Sequence, residues 1–470
     1  MSYKSYSYLT NCEPLKLGDE SINCLIYADD LVILSESAAG MQNCLDKLKE
    51  YTIEWGLNIN RAKTKILIFQ RGGVQPKFTF KFGNINIDIT DKYKYLGTTL
   101  SHSGSFKTNQ NLSRKKGLRA AYVIIHNIAK TCRPSTAIRI FEKIVEPILT
   151  YNCEITEAFF PDKWDYNKFE SKMWETSHDL NKVILSFLRQ ILGVHKKTTN
   201  LGLMAETGKY PICMHIFSRI AKYWMRLTIT TKSLLKEAYA ANRINFEEGK
   251  RSWIKIVRFL TKNVNFEEPI NSSKDIDNKI RKFKVLLKSK FQRWWNIQAV
   301  VTGKNKLDFY FKYKKQFCFE KYLDNIPKAT RMQMTRLRLS SHPFPIETGR
   351  YSKKKTKREA RKCKICHLDE VGDEEHYLRR CENILITATR NKFIIDVKEK
   401  CPALQNFNSN NIFDYCILMN DPKIQLPMAI YAKEIIETYS EIQNLQSKPQ
   451  DSPKVTRSGR QIKRPEKLDL

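Results

Sequence analysis

The chain has 470 residues, of which 41% are hydrophobic and 11% aromatic, and this composition excludes both a single small module and a wholly disordered chain. Its 82 Lys and Arg residues against 49 Asp and Glu residues give a net charge of +33, spread over most of the length. Such a charge predicts a polyanionic partner, and nucleic acid is the commonest one.

An anionic membrane surface would attract the same charge, but the sequence does not favour a membrane partner. No stretch approaches about eighteen uninterrupted apolar residues, and the N-terminus has no apolar core of the kind a signal peptide needs. We therefore expect a soluble, intracellular protein of the nucleus and cytoplasm. In a reducing compartment most of its twelve cysteines should be small buried side chains.

The first hundred residues predict a sheet covered by one helix. Two apolar runs, Ile22–Ala28 and Leu31–Leu34, flank Asp29 and Asp30, which predicts a hairpin with two carboxylates at its tip. An amphipathic helix should follow. Its N-cap would be Ser37, and Gly56 would end it. Next come a strand-like run and a second hairpin, at Lys65–Phe69, Phe78–Phe82 and Ile85–Ile89.

The remainder of the chain predicts helices, because apolar residues recur with a period of 3.6 from about Leu112 to Asn444. Nine of the fifteen residues from Arg350 to Lys364 are basic, which indicates an exposed linker. The segment from Ser447 to Leu470 should be a disordered basic tail. The predicted divisions are 1–105, 106–240, 241–349, 350–385, 386–446 and 447–470.

The two carboxylates at the predicted hairpin tip have two interpretations. Nucleotidyl transfer uses two divalent metal ions about 3.5–4 Å apart, which requires carboxylates held close together at the edge of a sheet. Asp29 and Asp30 would supply part of such a site. Aspartate is also favoured in ordinary turns, so the pair alone does not decide between the two.

Three segments in order resemble motifs of the reverse transcriptases of LINE-type (non-LTR) retrotransposons. Tyr27-Ala28-Asp29-Asp30 resembles the catalytic YADD motif, Trp55–Lys65 is similar to the next palm motif, and Tyr93–Ser101 resembles the primer-grip hairpin. Pro147–Glu154 and Leu192–Thr198 look like the thumb and the region after it.

This resemblance implies an RNA-directed DNA polymerase using Mg²⁺ or Mn²⁺, with an RNA template and a DNA target or primer as partners. Asp29 and Asp30 would bind the metal, and Tyr27 would lie near the incoming nucleotide or primer end. Lys63 would be the proton donor to pyrophosphate, although its chemistry also suits a solvated surface lysine. The primer would be held by Tyr95 and Gly97, with Tyr95 as a core residue being the alternative.

The family has another catalytic Asp and the fingers before YADD, and an endonuclease domain at the N-terminus. Only 26 residues precede Tyr27, and the early acids Glu13, Asp19 and Glu20 stand in a polar, turn-like stretch. None of the three is a convincing substitute for the earlier Asp. We therefore expect an incomplete active site and little independent polymerase activity, with the missing polymerase and endonuclease portion as a candidate partner.

Basic residues follow the predicted palm. Arg114, Lys115, Lys116 and Arg119 have a spacing that would place them on one helix face against a phosphate backbone. For any one of these residues, a merely solvated helix face is an equally good explanation.

A cysteine cluster gives the most specific metal signal. The spacing Cys363-x2-Cys366-x9-His376-x4-Cys381 suits tetrahedral Zn²⁺, with His376 and Cys381 on a following helical turn. Thiolate ligands leave no open coordination position, so the site should be structural. Reduced cysteines without a metal and His367 as a rival ligand are the alternatives, but the preceding segment Leu337–Tyr351 resembles the one before the CCHC knuckle of these elements.

The predicted fold class is therefore α+β: a partial reverse-transcriptase palm of antiparallel hairpins and a helix, then a mostly α-helical region and a small zinc knuckle. The predicted function is that of a reverse transcriptase fragment of a non-LTR retrotransposon. A non-catalytic nucleic-acid-binding remnant is the alternative. A purely structural module is a third hypothesis, against which the self-repulsion of +33 charges argues.

Overall fold

The computed structural model describes residues 13–70, 72, 77–128, 131–156, 165–174, 179–267, 270, 272–303, 306–352, 356–400 and 411–447. The basic tail at 448–470 and residues 353–355 of the basic linker lie outside these ranges. The chain divides into a first unit, residues 1–191 and 209–296, and a second unit, residues 192–208 and 297–470. Within the described part, no helix combines the length and apolar character needed to cross a membrane.

The strands of the first unit form four separate antiparallel pairs. Each pair is a hairpin of two strands with a short connection. The strands are β1 Leu15–Leu17, β2 Glu20–Ile22, β3 Cys24–Tyr27, β4 Asp30–Ile33, β5 Phe80–Phe82, β6 Ile85–Ile87, β7 Lys92–Tyr95 and β8 Thr98–Ser101.

Helix α1, Ala38–Glu54, covers the β5–β6 hairpin. Its first turn is capped by Ser37, whose side chain accepts the amide of Gly40 at 2.9 Å. The helix stops where Gly56 adopts a φ of +62°. The packed side chains between helix and hairpin are Leu45, Leu48, Ile66, Phe80, Phe82 and Ile87.

The rest of the first unit is helical because its apolar residues line one face of each helix. The buried aromatic core includes Phe141, Phe169, Trp174, Phe217 and Phe291. The helices are α2 Lys107–Asn127, α3 Pro134–Leu149, α4 Tyr166–Lys172, α5 Asp179–Leu192, α7 Ile212–Leu227, α8 Ser233–Glu247, α9 Ile254–Val264 and α10 Ser273–Gly303.

The second unit is also mainly helical, and it contains α6, Asn200–Thr207. A 3₁₀ turn at Arg358–Ala360 and a π-helical turn at His376–Arg380 interrupt its helices. The remaining helices are α11 Asp308–Tyr313, α12 Tyr322–Asn325, α13 Lys328–Arg338, α14 Pro345–Thr348, α15 Ile384–Lys400, α16 Ile412–Leu418 and α17 Gln425–Ser447.

The predicted hairpins, α1 and helical remainder are present, but two expectations for the first hundred residues are wrong. The predicted sheet is instead a set of separate pairs, and the run Lys65–Phe69 contributes only an isolated bridge between Ile66 and Ile89. The stretch expected to be turn-like contains the β1–β2 hairpin, which turns at Gly18 with a φ of +59°. Three-residue strands are too short to show a clear alternating pattern, which is why sequence reasoning missed them.

A buried ion pair between Glu206 and Arg338 joins the elements of the second unit. Arg338 donates from Nε and Nη2 to the two carboxylate oxygens at 2.5 and 3.3 Å, and Tyr310 and Tyr322 donate their hydroxyls to the same carboxylate. Both charged side chains are fully buried. Burial acts to raise the pKa of Glu206, but the guanidinium of Arg338, the charge of Lys314 and the hydrogen bond from Tyr322 together outweigh it, so the pKa lies below its ordinary value.

We expect Arg338→Met to destabilise the second unit by about 3–5 kcal/mol, because it removes the guanidinium that pairs directly with the buried Glu206 carboxylate. Hydrogen exchange followed by mass spectrometry should show lost protection over α6 and α13. All seven Trp residues fall in the sequence ranges of the first unit, so their fluorescence serves as an internal reference.

The matched control is Lys400→Met, which removes an exposed ion pair of 2.7 Å with Asp396 on α15. Exposed pairs contribute about 0–1 kcal/mol, so this variant should exchange almost as the native chain does. Equal losses of protection in the two variants would show that Glu206 and Arg338 do not anchor this unit.

Candidate functional site

The two carboxylates predicted for catalysis stand at the tip of the β3–β4 hairpin. Tyr27 is paired with Asp30 in the last register position, so Ala28 and Asp29 form the two-residue turn. Tyr27 is 65% exposed, and the side chains of Asp29 and Asp30 are exposed as well. Both carboxylates are therefore accessible to a metal ion or a substrate phosphate.

The turn at this tip has a strained backbone. Ala28 adopts a φ of +55°, a conformation that is unfavourable for residues with a Cβ. Two-residue hairpins require such left-handed conformations to match the twist of their strands. The paired strands thus fix both aspartates at one short turn, and strained residues of this kind are concentrated at functional sites.

Tyr95 on the β7–β8 hairpin feels the charge at this tip. Partial burial raises the pKa of the Tyr95 hydroxyl, and the carboxylate of Asp30 raises it further. This electrostatic influence relates the segment that resembles the primer-grip motif to the one that resembles YADD.

Gly97 stands at the tip of β7–β8 in a crowded position. It has a φ of +81°, and a Cβ added there would lie 2.9 Å from the ring of Tyr151. The hydroxyl of Tyr151 donates to the carbonyl of Leu96 at 2.9 Å, and Asn152 donates to Thr98 at 2.5 Å. Sequence reasoning included Tyr151 and Asn152 only within the thumb-like segment and missed their contacts with this hairpin.

The described hydrogen bonds and ion pairs do not join Lys63 or the early acids to the hairpin tip. Lys63 is exposed in a turn closed by Asn60, and among the described contacts none joins it to Asp29 or Asp30. Glu13 accepts the hydroxyl of Ser37 at 3.0 Å, which places it at the start of α1. Asp19 lies in the turn between β1 and β2.

The four basic residues of α2 do not all share one environment. Gly117 is buried so closely against Leu149 that a Cβ would lie 2.3 Å from that side chain, which defines the packed face. Lys115, Lys116 and Arg119 lie on the exposed face. Arg114 is half-buried at the boundary of this face, and its contact with a phosphate backbone stays a prediction.

The predicted zinc ligands converge on one point in the second unit. One ligand atom from each of Cys363, Cys366, His376 and Cys381 lies within 4.8 Å of all the others. His376 begins the π-helical turn and Cys381 follows it directly, as the spacing predicted. His367, the rival ligand, is exposed and outside the cluster.

The surroundings of His376 suit a metal ligand. Its Nε2 faces the sulfur of Cys366 at 3.4 Å, while its Nδ1 bonds to the carboxylate of Glu370 at 3.0 Å. Metal-binding histidines commonly place their second ring nitrogen against a carboxylate in this way. Arg380 donates to the same carboxylate at 2.7 Å and holds it in position.

The sulfur of Cys363 is prepared to carry a negative charge. A hydrogen bond from the thiol of Cys381 lowers the pKa of Cys363 most strongly, against burial, and His376 and Tyr377 lower it further, to about 3. The Tyr377 hydroxyl donates to this sulfur at 3.3 Å. A thiolate is the form that binds metal, so the geometry and the charge of the cluster both fit a Cys₃His site.

Sequence reasoning missed Glu370 and Tyr377, which support the ligands without being ligands. Glu370 lies six residues before His376 and is brought back to it by the bridge between Lys362 and Val371. No spacing rule reports such a contact, because it depends on how the loop folds. A carboxylate within a predicted knuckle is the only signal the sequence offers.

Comparison with known proteins gives the family context of these hairpins. Residues 6–100 match the family model described as reverse transcriptase (RNA-dependent DNA polymerase). This match spans the β3–β4 hairpin and most of β7–β8. This part of the chain is similar to reverse transcriptases.

Several proteins similar to this chain come from mobile elements. A transposon-derived protein of Caenorhabditis elegans is 25% identical over 38% of this chain and 60% of its own length. The Pol polyprotein of the R2 retrotransposable element of Nasonia vitripennis is 30% identical over 21% of this chain and 10% of its own. The RNA-directed DNA polymerase of the mobile element jockey of Drosophila melanogaster is 27% identical over 31% of this chain and 17% of its own length.

The chain thus spans 60% or less of the length of these relatives. R2 and jockey are non-LTR retrotransposons, so the predicted kinship to reverse transcriptases of this group is confirmed. The residue roles at the hairpin tips remain predictions.

We expect Gly97→Ala to disrupt the β7–β8 hairpin. The added Cβ would occupy an unfavourable left-handed conformation, costing about 1–2 kcal/mol, and would also collide with Tyr151. Hydrogen exchange of the amides from Lys92 to Ser101 should become markedly faster.

Gly104→Ala is the matched control, because Gly104 also has a positive φ, of +66°, but has open space around its Cβ position. The Gly104→Ala variant has the unfavourable left-handed backbone conformation but no collision with a neighbouring side chain. If both variants accelerate exchange equally, the contact with Tyr151 does not hold this hairpin.

Proposed function

We propose that the chain supplies the metal-binding carboxylates and the primer-holding hairpin of an RNA-directed DNA polymerase. The proposal is carried by one observation: the exposed carboxylates of Asp29 and Asp30 stand together at the two-residue tip of the β3–β4 hairpin. The reverse transcriptase match and the jockey relative, which is named as an RNA-directed DNA polymerase, support it.

Each residue at the tips has a chemical role in this proposal. Asp29 and Asp30 hold divalent metal, Mg²⁺ or Mn²⁺, which would supply Lewis-acid activation of the primer hydroxyl and neutralise phosphate charge. Tyr27, with its exposed ring, contacts the nucleotide or primer end. Tyr95 and Gly97 position the primer, and Lys63 is the proposed proton donor to pyrophosphate.

The exposed face of α2 is the proposed track for the RNA template and DNA primer. Lys115, Lys116 and Arg119 can each neutralise a phosphate, and Arg114 can reach the edge of the same face. Tyr122 is 60% exposed on this face, and its ring lies 3.9 Å from that of His126. Aromatic rings beside cations suit stacking with unpaired bases.

The Cys₃His cluster is the proposed structural zinc site. All four ligands come from a segment too short for a core of its own, so the metal would stabilise the fold of the loop between Arg361 and Cys381. The residues leave no open coordination position, which argues against a catalytic metal here.

The proposed activity is tested by primer extension on an RNA template with purified chain, Mg²⁺ or Mn²⁺ and dNTPs. Two carboxylates are fewer than two-metal catalysis uses, so we expect extension only when the preceding part of a related polymerase is added in trans. Asp29→Ala and Asp30→Ala should each reduce the complemented rate by more than about 100-fold, since even supporting residues of metal sites cost 10–100-fold.

Glu50→Ala is the matched control, because Glu50 is an exposed acid on α1 away from the tip. It should leave the rate unchanged. Extension by the chain alone, abolished by both aspartate variants, would contradict the incomplete site. Complemented extension that survives both aspartate substitutions would contradict the proposed role of the hairpin, and binding of primer–template without any extension would favour the non-catalytic alternative.

We expect the purified chain to contain one zinc ion per molecule, and Cys366→Ser to lose it. Elemental analysis of the dialysed protein measures the zinc content, and limited proteolysis reports the fold of the loop. Because binding and folding are coupled, the loss of zinc should expose the segment around Arg361–Cys381 to cleavage.

Cys132→Ser is the control for this experiment, since Cys132 lies outside the cluster and is only half-buried. It should keep its zinc. Full zinc content in Cys366→Ser would show that the metal is held elsewhere, and no zinc in the native chain would contradict the zinc proposal.

A further inference from the structure

Helix α10 carries an uneven distribution of charge along its length. From Lys279 to Gly303 it has seven Lys and Arg residues and no acidic residue. The face that packs into the first unit is apolar, and its buried residues include Ile280, Phe283, Leu287 and Phe291. The cations therefore divide into two flanks on either side of the packed face.

One flank, which we name the basic flank, consists of Arg281, Lys284 and Lys288. These three residues are exposed and follow one another at intervals of three and four positions. Neighbours at such intervals have Cβ atoms about 5–6 Å apart, a spacing comparable to that of successive phosphates in a nucleic-acid strand. Lys284 and Lys288 form no ion pair within the described part of the chain, whereas Arg281 lies near Asp277, which is paired with Lys222.

The basic flank faces further polar and cationic groups on α7 and on the segment before it. Lys288 lies 5.5 Å from the centre of the Tyr210 ring, and Gln292 donates to the Tyr210 hydroxyl at 3.5 Å. His215 is exposed on α7 and feels the charge of Lys284. Two elements thus contribute to one basic surface.

We propose that the basic flank of α10, together with His215, is a second nucleic-acid-binding surface that contacts the phosphodiester backbone. It lies on elements other than the hairpin tips and α2, and it requires no polymerase chemistry. A nucleic acid is the occupant because the surface combines a row of cations with an aromatic ring and a histidine, and because the chain as a whole carries +33 charges. Backbone contacts of this kind give affinity without sequence selectivity.

His215 adds a pH dependence to this surface. Partial desolvation lowers the pKa of its imidazole, and the cations of Arg219, Lys209 and Lys284 lower it further, whereas Glu142 raises it. The free protein therefore holds His215 neutral near pH 7.5. A phosphate beside the ring would favour the protonated form, so binding should take up a proton and strengthen as the pH falls.

The test uses the full chain and fluorescein-labelled single-stranded RNA and DNA of the same 20-nucleotide sequence, with binding followed by anisotropy across a salt series. The triple variant Arg281→Gln, Lys284→Gln and Lys288→Gln removes three phosphate contacts. At about 0.7 per contact, the slope of log K against log salt should fall by about 2, and the affinity should fall on the order of 50-fold at 0.15 M salt.

The opposite flank of the same helix offers a matched control. Lys279→Gln, Lys282→Gln and Arg293→Gln remove the same residue types and the same three charges from α10. This control should change the slope by much less than the basic-flank variant, and thermal unfolding checks that both variants are folded. Equal losses in the two triple variants, or no loss in the basic-flank variant, would overturn the proposal.

Two further measurements determine which features of the nucleic acid and of the protein take part in binding. Equal losses on RNA and DNA would show recognition of phosphate alone, whereas a larger loss on RNA would show that the 2′-hydroxyl also contacts the surface. In His215→Gln the gain in affinity between pH 7.5 and pH 6 should be smaller than in the native chain, and an unchanged gain would remove His215 from the surface. Primer extension is not read out, so failure here is distinguishable from failure of the proposed polymerase function.

Discussion

Left-handed turns at the tips of two hairpins are the constraint on which the candidate active site depends. Ala28 closes β3–β4 with a φ of +55°, and Leu96 and Gly97 close β7–β8 with φ values of +43° and +81°. Each turn places its candidate side chains at the end of a paired strand, where the pairing restricts the backbone. Since the strands are only four residues long, the turns contribute more to this positioning than the ladders do. The contacts of Tyr151 and Asn152 with the second turn supply the support that a short hairpin cannot give itself.

The sequence predicts this arrangement unevenly, and the reason is physical. The cap at Ser37, the end of α1 near Gly56 and the turns at the hairpins are local, and local chemistry is readable from residue types. The Cys₃His cluster is also predictable, because its ligand spacing encodes a knuckle. The electrostatic influence of Asp30 on Tyr95 is different, since the two residues are 65 positions apart and no periodicity indicates which hairpins influence each other. The half-buried position of Arg114 is not readable from the sequence for a related reason: which side of α2 is packed depends on the approach of Leu149 to Gly117.

The second unit depends on a different interaction, which holds a highly charged part of the chain together. Its centre is an ion pair, Glu206 with Arg338, whose desolvation is offset by hydroxyl donors from Tyr310 and Tyr322 and by the aromatic rings around the guanidinium. Replacing such a pair by apolar residues need not reduce stability, but removing one partner leaves a buried charge. Both carboxylate oxygens of Glu206 are occupied in this network. The main effect of the network is therefore to specify how α6 and α13 pack, and its contribution to net stability is smaller.

Acidic side chains in both units form ion pairs within the unit to which they belong. Glu146 binds Lys209 at 2.6 Å, Glu154 binds Arg219 through two bonds of 3.0 Å, and Glu374 bonds to His342 at 2.9 Å. An acid that is paired internally does not lie at the surface, where its charge would offset that of neighbouring lysines. The excess of cations is consequently displayed on exposed faces such as those of α2 and α10. Binding of a polyanion to these faces weakens as the salt concentration rises, because the release of counter-ions on binding then becomes less favourable. The internal pairs are shielded from solvent and respond little to salt. The distribution of acids, together with the number of cations, thus determines which helix faces carry an excess of positive charge.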